Sequence, residues 1–106
     1  MNLSITARGY KAPDRLKKYL TDKLDKKKKL YEDVIDVEIV LSYVKQTQVA
    51  EFRLNLNHKV LLIREKSDDI FKSIDQALDN SERQIKRYKE KRRDHKNNKI
   101  VNNLVV

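Results

Sequence analysis

The stretch IDVEIVLSYVKQTQVAEFRLNL, residues 35–56, decides the fold because apolar and polar side chains alternate twice along it. Residues 35–44 place Ile, Val, Ile, Leu and Tyr at every second position, and residues 50–56 repeat the pattern with Ala, Phe, Leu and Leu. A period of two is typical of a half-buried β-strand. Lys45–Thr47 form the turn, so the stretch predicts two consecutive strands.

Two further strands follow from the flanking sequence. Asn57–Lys59 read as a second turn short enough for a hairpin, and residues 60–63 (Val-Leu-Leu-Ile) are apolar at every position. Near the start of the chain, Leu3, Ile5 and Ala7 alternate with polar residues, which predicts a first strand. Four strands are therefore expected.

Helical spacing separates the first strand from the second and follows the fourth. Pro13 suits a first helical turn, and spacings of three and four then predict a helix to about Lys29. Ser67 is a favoured N-cap, and the same spacing predicts a second helix to His95. The apolar positions that carry these stripes are Leu16, Tyr19, Leu20, Leu24, Tyr31, Ile70, Ile74, Ala77, Leu78, Ile85 and Tyr88.

The order strand, helix, three strands, helix predicts an α+β two-layer sandwich, a four-stranded mixed sheet with two helices on one face. A helix in the first crossover makes strands one and two parallel, and both apolar stripes need the same face to share a core. Residues 1–95 form this domain, and residues 96–106 are expected to be a short C-terminal tail. A helix of ~28 residues spans about 42 Å against ~20 Å for short strands, so its last turns should project.

Charge is segregated along the chain, whose 106 residues carry a formal net charge of +9. Residues 8–29 hold 10 basic and 3 acidic residues, residues 30–82 hold 6 and 11, and residues 83–99 hold 9 and 2. Solubility alone would not need acids to be excluded from both basic segments. A polyanionic partner explains the segregation better, because the fold would join the two segments into one positive surface.

Most catalytic and metal sites are excluded by composition. The chain has no Cys and one Gly, so thiolate sites and glycine-rich phosphate loops are absent from the sequence. His58 and His95 have no partner spaced to orient their rings. Asp68 and Asp69 suit the positive end of a helix better than a metal, since adjacent helical residues diverge by ~100°. We expect no enzyme activity, no cofactor and no small-molecule substrate.

Structured RNA is the polyanion that fits best. Few exposed aromatic residues are left to stack on single-stranded bases, and the apolar stripes are needed for the core rather than for a membrane surface. No apolar run approaches the ~18 residues that span a bilayer, so we expect a cytoplasmic protein. A protein-interaction module that modulates transcription proteins through a basic surface, and a weak basic enzyme, remain as alternatives.

Several segments resemble the ribosome hibernation factors, the family that includes hibernation-promoting factor and the ribosome-associated inhibitor. The resemblance covers residues 1–95 and rests on MNLSIT (1–6), on the first helix from Pro13, and above all on EKSDDIFKSID (65–75) and SERQIKRYK (81–89). Long members of this family add a C-terminal domain, and the sequence resembles the short members, which do not have one. The sequence departs from the family pattern at Ser81, where family members usually have an apolar residue.

The resemblance implies a β-α-β-β-β-α fold that binds 16S rRNA at the decoding region of the small ribosomal subunit and blocks the path of mRNA and tRNA. It thereby implies ribosome hibernation, a stress response that represses translation without chemistry. The positions it carries over as RNA contacts are Arg8, Lys23, Arg83, Lys86 and Lys89. Charge and helical geometry add Lys17, Lys26, Lys28, Arg87, Arg92, Arg93 and Lys96.

Overall fold

The computed structural model describes the backbone of residues 1–105 and the side chains of residues 1–92. Its elements alternate as the sequence predicts. In chain order they are β1 (Asn2–Ala7), α1 (Asp14–Asp25), β2 (Val34–Val44), β3 (Thr47–Leu56), β4 (Lys59–Ser67) and α2 (Ile70–Val105).

The four strands form one mixed sheet in the order β1-β2-β3-β4. β1 runs parallel to β2, with Ile5 opposite Ile39, whereas β2, β3 and β4 are mutually antiparallel. Both hairpins close with two residues, because Val44 pairs with Thr47 and Leu56 pairs with Lys59. The predicted β-α-β-β-β-α fold is confirmed, and Thr47 belongs to β3 rather than to the turn.

Both helices pack on the same face of the sheet, as predicted. The rings of Tyr19 and Phe71 are nearly perpendicular at a centroid distance of 5.2 Å, which places α1 beside α2. The two apolar stripes and the inward residues of the sheet form one buried cluster. Its best-buried members include Leu16, Leu20, Leu24, Val37, Ile39, Leu41, Phe52, Leu54, Ile63, Ile74, Ala77 and Ile85.

The other face of the sheet is not covered by any element of the described structure. The apolar run in β4 divides between the two faces: Leu61 and Ile63 are buried under the helices, while Val60 and Leu62 are 43% and 70% exposed. Charged side chains accompany them, and Arg64 forms an ion pair with Glu51 at 3.4 Å. This strand therefore keeps the period of two that its sequence conceals.

The two helices run in the same direction, so their last turns lie at the same end of the sheet. At the beginning of α2, the buried Ser73 hydroxyl donates to the carbonyl oxygen of Gln48 at 2.8 Å, beside the β2–β3 hairpin. Further along α2, the Tyr88 hydroxyl donates to the carbonyl oxygen of Asn57 at 3.4 Å, in the β3–β4 hairpin. The residues that follow α1 therefore lie next to the second half of α2.

The first helix ends at Asp25, so the predicted end near Lys29 is wrong. Leu24 is its last core residue, and the four lysines that follow have no apolar group to hold a further helical turn against the core. The chain instead crosses to β2 through turns over residues 26–33. Tyr31 and Val34, each 4% exposed, return it to the core.

The second helix also differs from its predicted bounds. Ser67 is the last residue of β4, and the N-cap is Asp69, whose Oδ1 accepts a hydrogen bond from the Phe71 N–H at 3.0 Å. The Ser67 hydroxyl supports this cap by accepting from the Asp69 N–H at 3.2 Å. At the other end, the backbone of α2 continues past His95 to Val105.

Candidate nucleic-acid interface

Basic side chains gather at the end of the molecule where the helices have their last turns. They come from the last turn of α1 and the residues after it, from the β3–β4 hairpin and from the second half of α2. We call this set the cationic pole, and its described members are Lys23, Lys26, Lys27, Lys28, Lys29, Lys59, Arg83, Lys86, Arg87, Lys89, Lys91 and Arg92.

An acidic residue joins the segment after α1 to the second half of α2. Glu82 of α2 accepts from Lys27 Nζ at 3.4 Å and from Lys86 Nζ at 3.3 Å, through the same oxygen, Oε1. The hydrogen bond from Lys86 is the largest cause of the lowered pKa of Glu82; burial opposes it, and the hydrogen bond from Lys27 and the charges of both lysines lower the pKa further. Two ammonium groups from different elements therefore converge on one point.

A second connection holds the 26–33 segment to α2. Lys89 Nζ lies 3.5 Å from Glu32 Oε1 and donates to the carbonyl oxygen of Lys29 at 3.3 Å. Its side chain is only 28% exposed, in contrast to 62% for Lys86. Lys89 therefore positions the segment as well as adding charge.

A buried tyrosine anchors the same segment from below. Burial raises the pKa of Tyr31 to about 12; the nearby Ser81 hydroxyl opposes this rise, and the negative charge of Glu82 adds to it. Ser81 is fully buried and donates to the Ala77 carbonyl oxygen at 2.7 Å, so its polar group is satisfied inside the core. Tyr31 holds the segment against the core, and the four lysines that precede it, residues 26–29, remain on the surface.

The other flank of α2 is basic as well. A groove between this helix and β4 is lined by Lys59, Gln84, Arg87, Tyr88 and Lys91, among others. The groove between α1 and α2 differs, because Asp75, Asp79 and Glu82 line it together with Lys23 and Lys27. Positive charge is therefore concentrated around the second half of α2 rather than along the whole helix pair.

The structure brings together eight of the twelve predicted contacts: Lys23, Lys26, Lys28, Arg83, Lys86, Arg87, Lys89 and Arg92. Lys26 and Lys28 lie in turns rather than in the first helix, which was predicted to extend to about Lys29. Arg93 and Lys96 belong to α2 but lie outside the described side chains.

Two predicted contacts lie elsewhere. Arg8 follows β1, and its backbone N–H donates to the Leu41 carbonyl oxygen at 2.8 Å. Leu41 is seven residues along β2 from Val34, the strand residue beside the cationic pole, so Arg8 lies about 23 Å from that end of the sheet. Lys17 is exposed on α1, about 160° around the helix from Tyr19, whose ring faces α2. Neither is part of the cationic pole.

Sequence analysis missed four members of the cationic pole: Lys27, Lys29, Lys59 and Lys91. The run of four lysines at residues 26–29 was the signal for the first two. Lys59 could have been found from the two-residue turn, which brings the start of β4 toward Arg87 and Lys91. The contact of Lys27 with Glu82 joins residues 55 apart and has no local signal.

The described side chains, residues 1–92, contain no cluster of three His, Asp or Glu residues that could hold a metal ion. His58 occupies the β3–β4 turn with φ of 65°, and Asp69 is used as the helix cap. No helix in the described part of the chain has the length and apolar character needed to cross a membrane. What the cationic pole can do chemically is bind anionic groups through ammonium and guanidinium donors.

Two curated relatives and two solved structures are similar to this chain. The chain is 27% identical over 95 residues to the ribosome hibernation promoting factor of Salmonella typhimurium, covering 90% of this chain and 100% of the relative, and 25% identical over the same length to that of Escherichia coli K12. The N-terminal domain of Thermus thermophilus Protein Y superposes with a TM-score of 0.73 at 26% identity, over 83% of this chain and 99% of that one.

A ribosomal subunit interface protein from Coxiella burnetii has the same fold, with a TM-score of 0.80 at 20% identity over 85% of this chain and 99% of that one. The family model described as Sigma 54 modulation protein / S30EA ribosomal protein matches residues 3–93, which include every member of the cationic pole. The resemblance noted in the sequence is confirmed, and the chain belongs to this family of ribosome-associated proteins.

Proposed function

We propose that this protein binds 16S rRNA at the decoding region of the small ribosomal subunit and represses translation by blocking the path of mRNA and tRNA. Family membership already makes it a ribosome-associated regulator of translation that acts without catalysis. The proposal adds the subunit, the rRNA site and the blocking mechanism, with the cytoplasm as the place of action. The observation that carries it is the cationic pole.

The arrangement of the cationic pole suits the backbone of folded RNA. The described side chains place cations on the α1 side of α2, on its outer face and on its β4 side. An A-form helix hides its base edges in a deep major groove, so proteins bind it mainly through phosphates, 2′-hydroxyls and shape. Lysines on several sides of one rod can meet phosphates from more than one RNA segment.

The length of α2 supports blocking as the mechanism. Its 36 residues span about 54 Å at 1.5 Å per residue, whereas the longest strand, β2, has 11 residues and spans about 36 Å. About 18 Å of the helix, roughly its last twelve residues, therefore continues beyond the sheet next to the cationic pole. A rod of this kind can enter a channel in the ribosome while the sheet remains outside.

Cosedimentation with purified bacterial small ribosomal subunits tests the binding step. We expect the protein to pellet with the subunits at low salt and to dissociate as salt rises, because phosphate binding releases counterions. Crosslinks should map to the decoding region of 16S rRNA. Crosslinks confined to another part of the subunit, or binding that salt does not weaken, would contradict the proposal and favour a protein partner.

A competition experiment tests the blocking step. Small subunits loaded with the protein should bind mRNA and initiator tRNA less well, and the two losses should follow the occupancy of the protein. Full mRNA and tRNA binding at saturating protein would refute occlusion even if the rRNA site were correct.

A further inference from the structure

We infer that Lys27 and Lys86 form one phosphate-binding site, and that the Glu82 carboxylate occupies it in the free protein. This inference deepens the proposed function, on which its biological meaning rests. Glu82 then lowers the affinity for RNA because it competes with a phosphodiester for the same two ammonium groups. It is a built-in limit on binding strength.

The geometry identifies the site as one for an anion. Lys27 approaches from the 26–33 segment and Lys86 from α2, yet both place Nζ within 3.4 Å of a single oxygen, Glu82 Oε1. A phosphodiester offers two non-bridging oxygens, so each ammonium group could donate to its own acceptor. An anion with that shape fits the site better than one carboxylate oxygen shared by two donors.

Exposure allows the exchange. The side chains of Lys27 and Lys86 are 54% and 62% exposed, so an external phosphate can reach both ammonium groups. Glu82 is 28% exposed and lies in the helix on the groove side. Ion pairs between exposed lysines and a carboxylate contribute little to stability, which makes them easy to replace.

The alternative role for Glu82 is to hold the two lysines in position for RNA. The two roles predict opposite signs. If Glu82 competes with phosphate, removing its charge strengthens RNA binding, whereas if it positions the lysines, the same change weakens binding. A substitution that keeps the size of the side chain, Glu82→Gln, therefore separates them.

The experiment compares Glu82→Gln in the natural protein and in a Lys27→Gln/Lys86→Gln background, with Glu90→Gln as the matched control. Glu90 is exposed on α2 and has no ion pair within residues 1–92. The probe is an RNA duplex of about 20 base pairs, titrated by fluorescence anisotropy, which is long enough for a shape-based contact. Thermal unfolding by circular dichroism checks that each variant is folded.

We expect Glu82→Gln to bind the duplex about fivefold more tightly at 0.1 M salt, with a salt dependence steeper by ~0.7 to 0.9, which is one added phosphate contact. In the background without the two lysines, the gain should shrink to that of Glu90→Gln. Unchanged or weaker binding by Glu82→Gln would overturn the inference. A gain of equal size in the Lys27→Gln/Lys86→Gln background would also overturn the inference, because such a gain would come from weaker overall repulsion between the protein and the RNA.

The design separates this inference from the proposed function. Duplex RNA reports the phosphate site directly, whether or not the natural protein binds small ribosomal subunits. Failure of the natural protein to bind those subunits would refute the proposed function and leave the result on the duplex to decide the site. Conversely, subunit binding together with an unchanged Glu82→Gln affinity would refute the site alone.

Discussion

Replacing three lysines of the cationic pole with glutamine should weaken binding to the small ribosomal subunit far more than the same change elsewhere. The variant is Lys26→Gln/Lys28→Gln/Lys91→Gln. All three side chains are exposed, and none forms an ion pair within residues 1–92. Their loss should leave the fold intact, because exposed substitutions usually change stability by less than ~0.5 kcal/mol.

The magnitude follows from counterion release. Each phosphate neutralised contributes ~0.7 to 0.9 to the slope of log affinity against log salt, so three lost contacts should flatten the slope by about 2 to 2.7. If the two proteins bind equally at 1 M salt, this difference in slope makes the variant bind roughly 100- to 500-fold more weakly at 0.1 M salt, a loss of about 3 to 4 kcal/mol.

The control removes the same charge from the other end of the molecule. Lys45→Gln/Lys66→Gln/Lys72→Gln changes three exposed lysines around the β2–β3 hairpin and the first turn of α2. Cosedimentation at several salt concentrations gives both slopes. The control should lose no more than about tenfold in affinity, through net charge alone. Equal losses in the two variants would refute the assignment of the interface to the cationic pole.

Three further predictions concern the elements that position the interface. Burial raises the pKa of Tyr31 to about 12, above the ordinary value of 10 that holds in the unfolded chain, so its contribution to stability should be intact below pH 10 and lost as pH rises through 12; the free energy of unfolding in urea should show this fall, and Tyr31→Phe should flatten it; Tyr19→Phe should flatten it as well, because the pKa of that phenol is also raised to about 12, chiefly by its hydrogen bond to Asp75, and an unchanged pH dependence in Tyr31→Phe would contradict the prediction. Ser73→Ala removes hydrogen bonds to Gln48 and Ser67 from a fully buried group and should cost about 1 to 3 kcal/mol by urea denaturation, whereas the exposed Ser4→Ala should cost less than ~0.5; equal costs would contradict the role of Ser73. Asp69→Ala should cost about 1 kcal/mol as a lost N-cap, and a larger cost for Asp68→Ala in the same titration would place the cap wrongly.

The fold was predictable because every element except β4 repeats its apolar period over several residues, and β4 is marked by a short apolar run directly after a turn. Two inward candidates of residues 35–44 are exposed in the structure, Ile35 at 54% and Tyr43 at 47%. Ile35 lies where a register shift interrupts the pairing of β2 with β3, and Tyr43 lies near the end of β2. The end of α1 was not predictable from spacing. Leu24 and Tyr31 are seven residues apart, which fits a continuing helix and also fits a chain that leaves the helix and returns to the core.

The candidate site was predictable in its composition and less so in its geometry. Segregated charge indicated which segments are basic, but charge alone could not separate Arg8 and Lys17 from the residues that gather around α2. The same limit applies to Glu82, because its two lysine partners lie 55 residues and four residues away and only the folded chain joins them. Long-range contacts of this kind require the tertiary structure.

Because the two helices run in the same direction, the basic side chains near their last turns gather at one end of the molecule. This uneven distribution of side-chain charge gives the molecule an electric dipole moment along its long axis. At the end where the helices begin, Asp14, Asp68 and Asp69 partly offset the basic residues, whereas the twelve cations of the cationic pole give the far end the larger positive charge. The basic residues at the first end include Arg8, Lys11, Lys45, Lys66 and Lys72. A polyanion within about one Debye length, ~10 Å at 0.1 M salt, would exert a torque on such a molecule before any contact forms. Productive encounters would then begin with the correct end facing the target, and the association rate should fall as added electrolyte shortens the range of that torque.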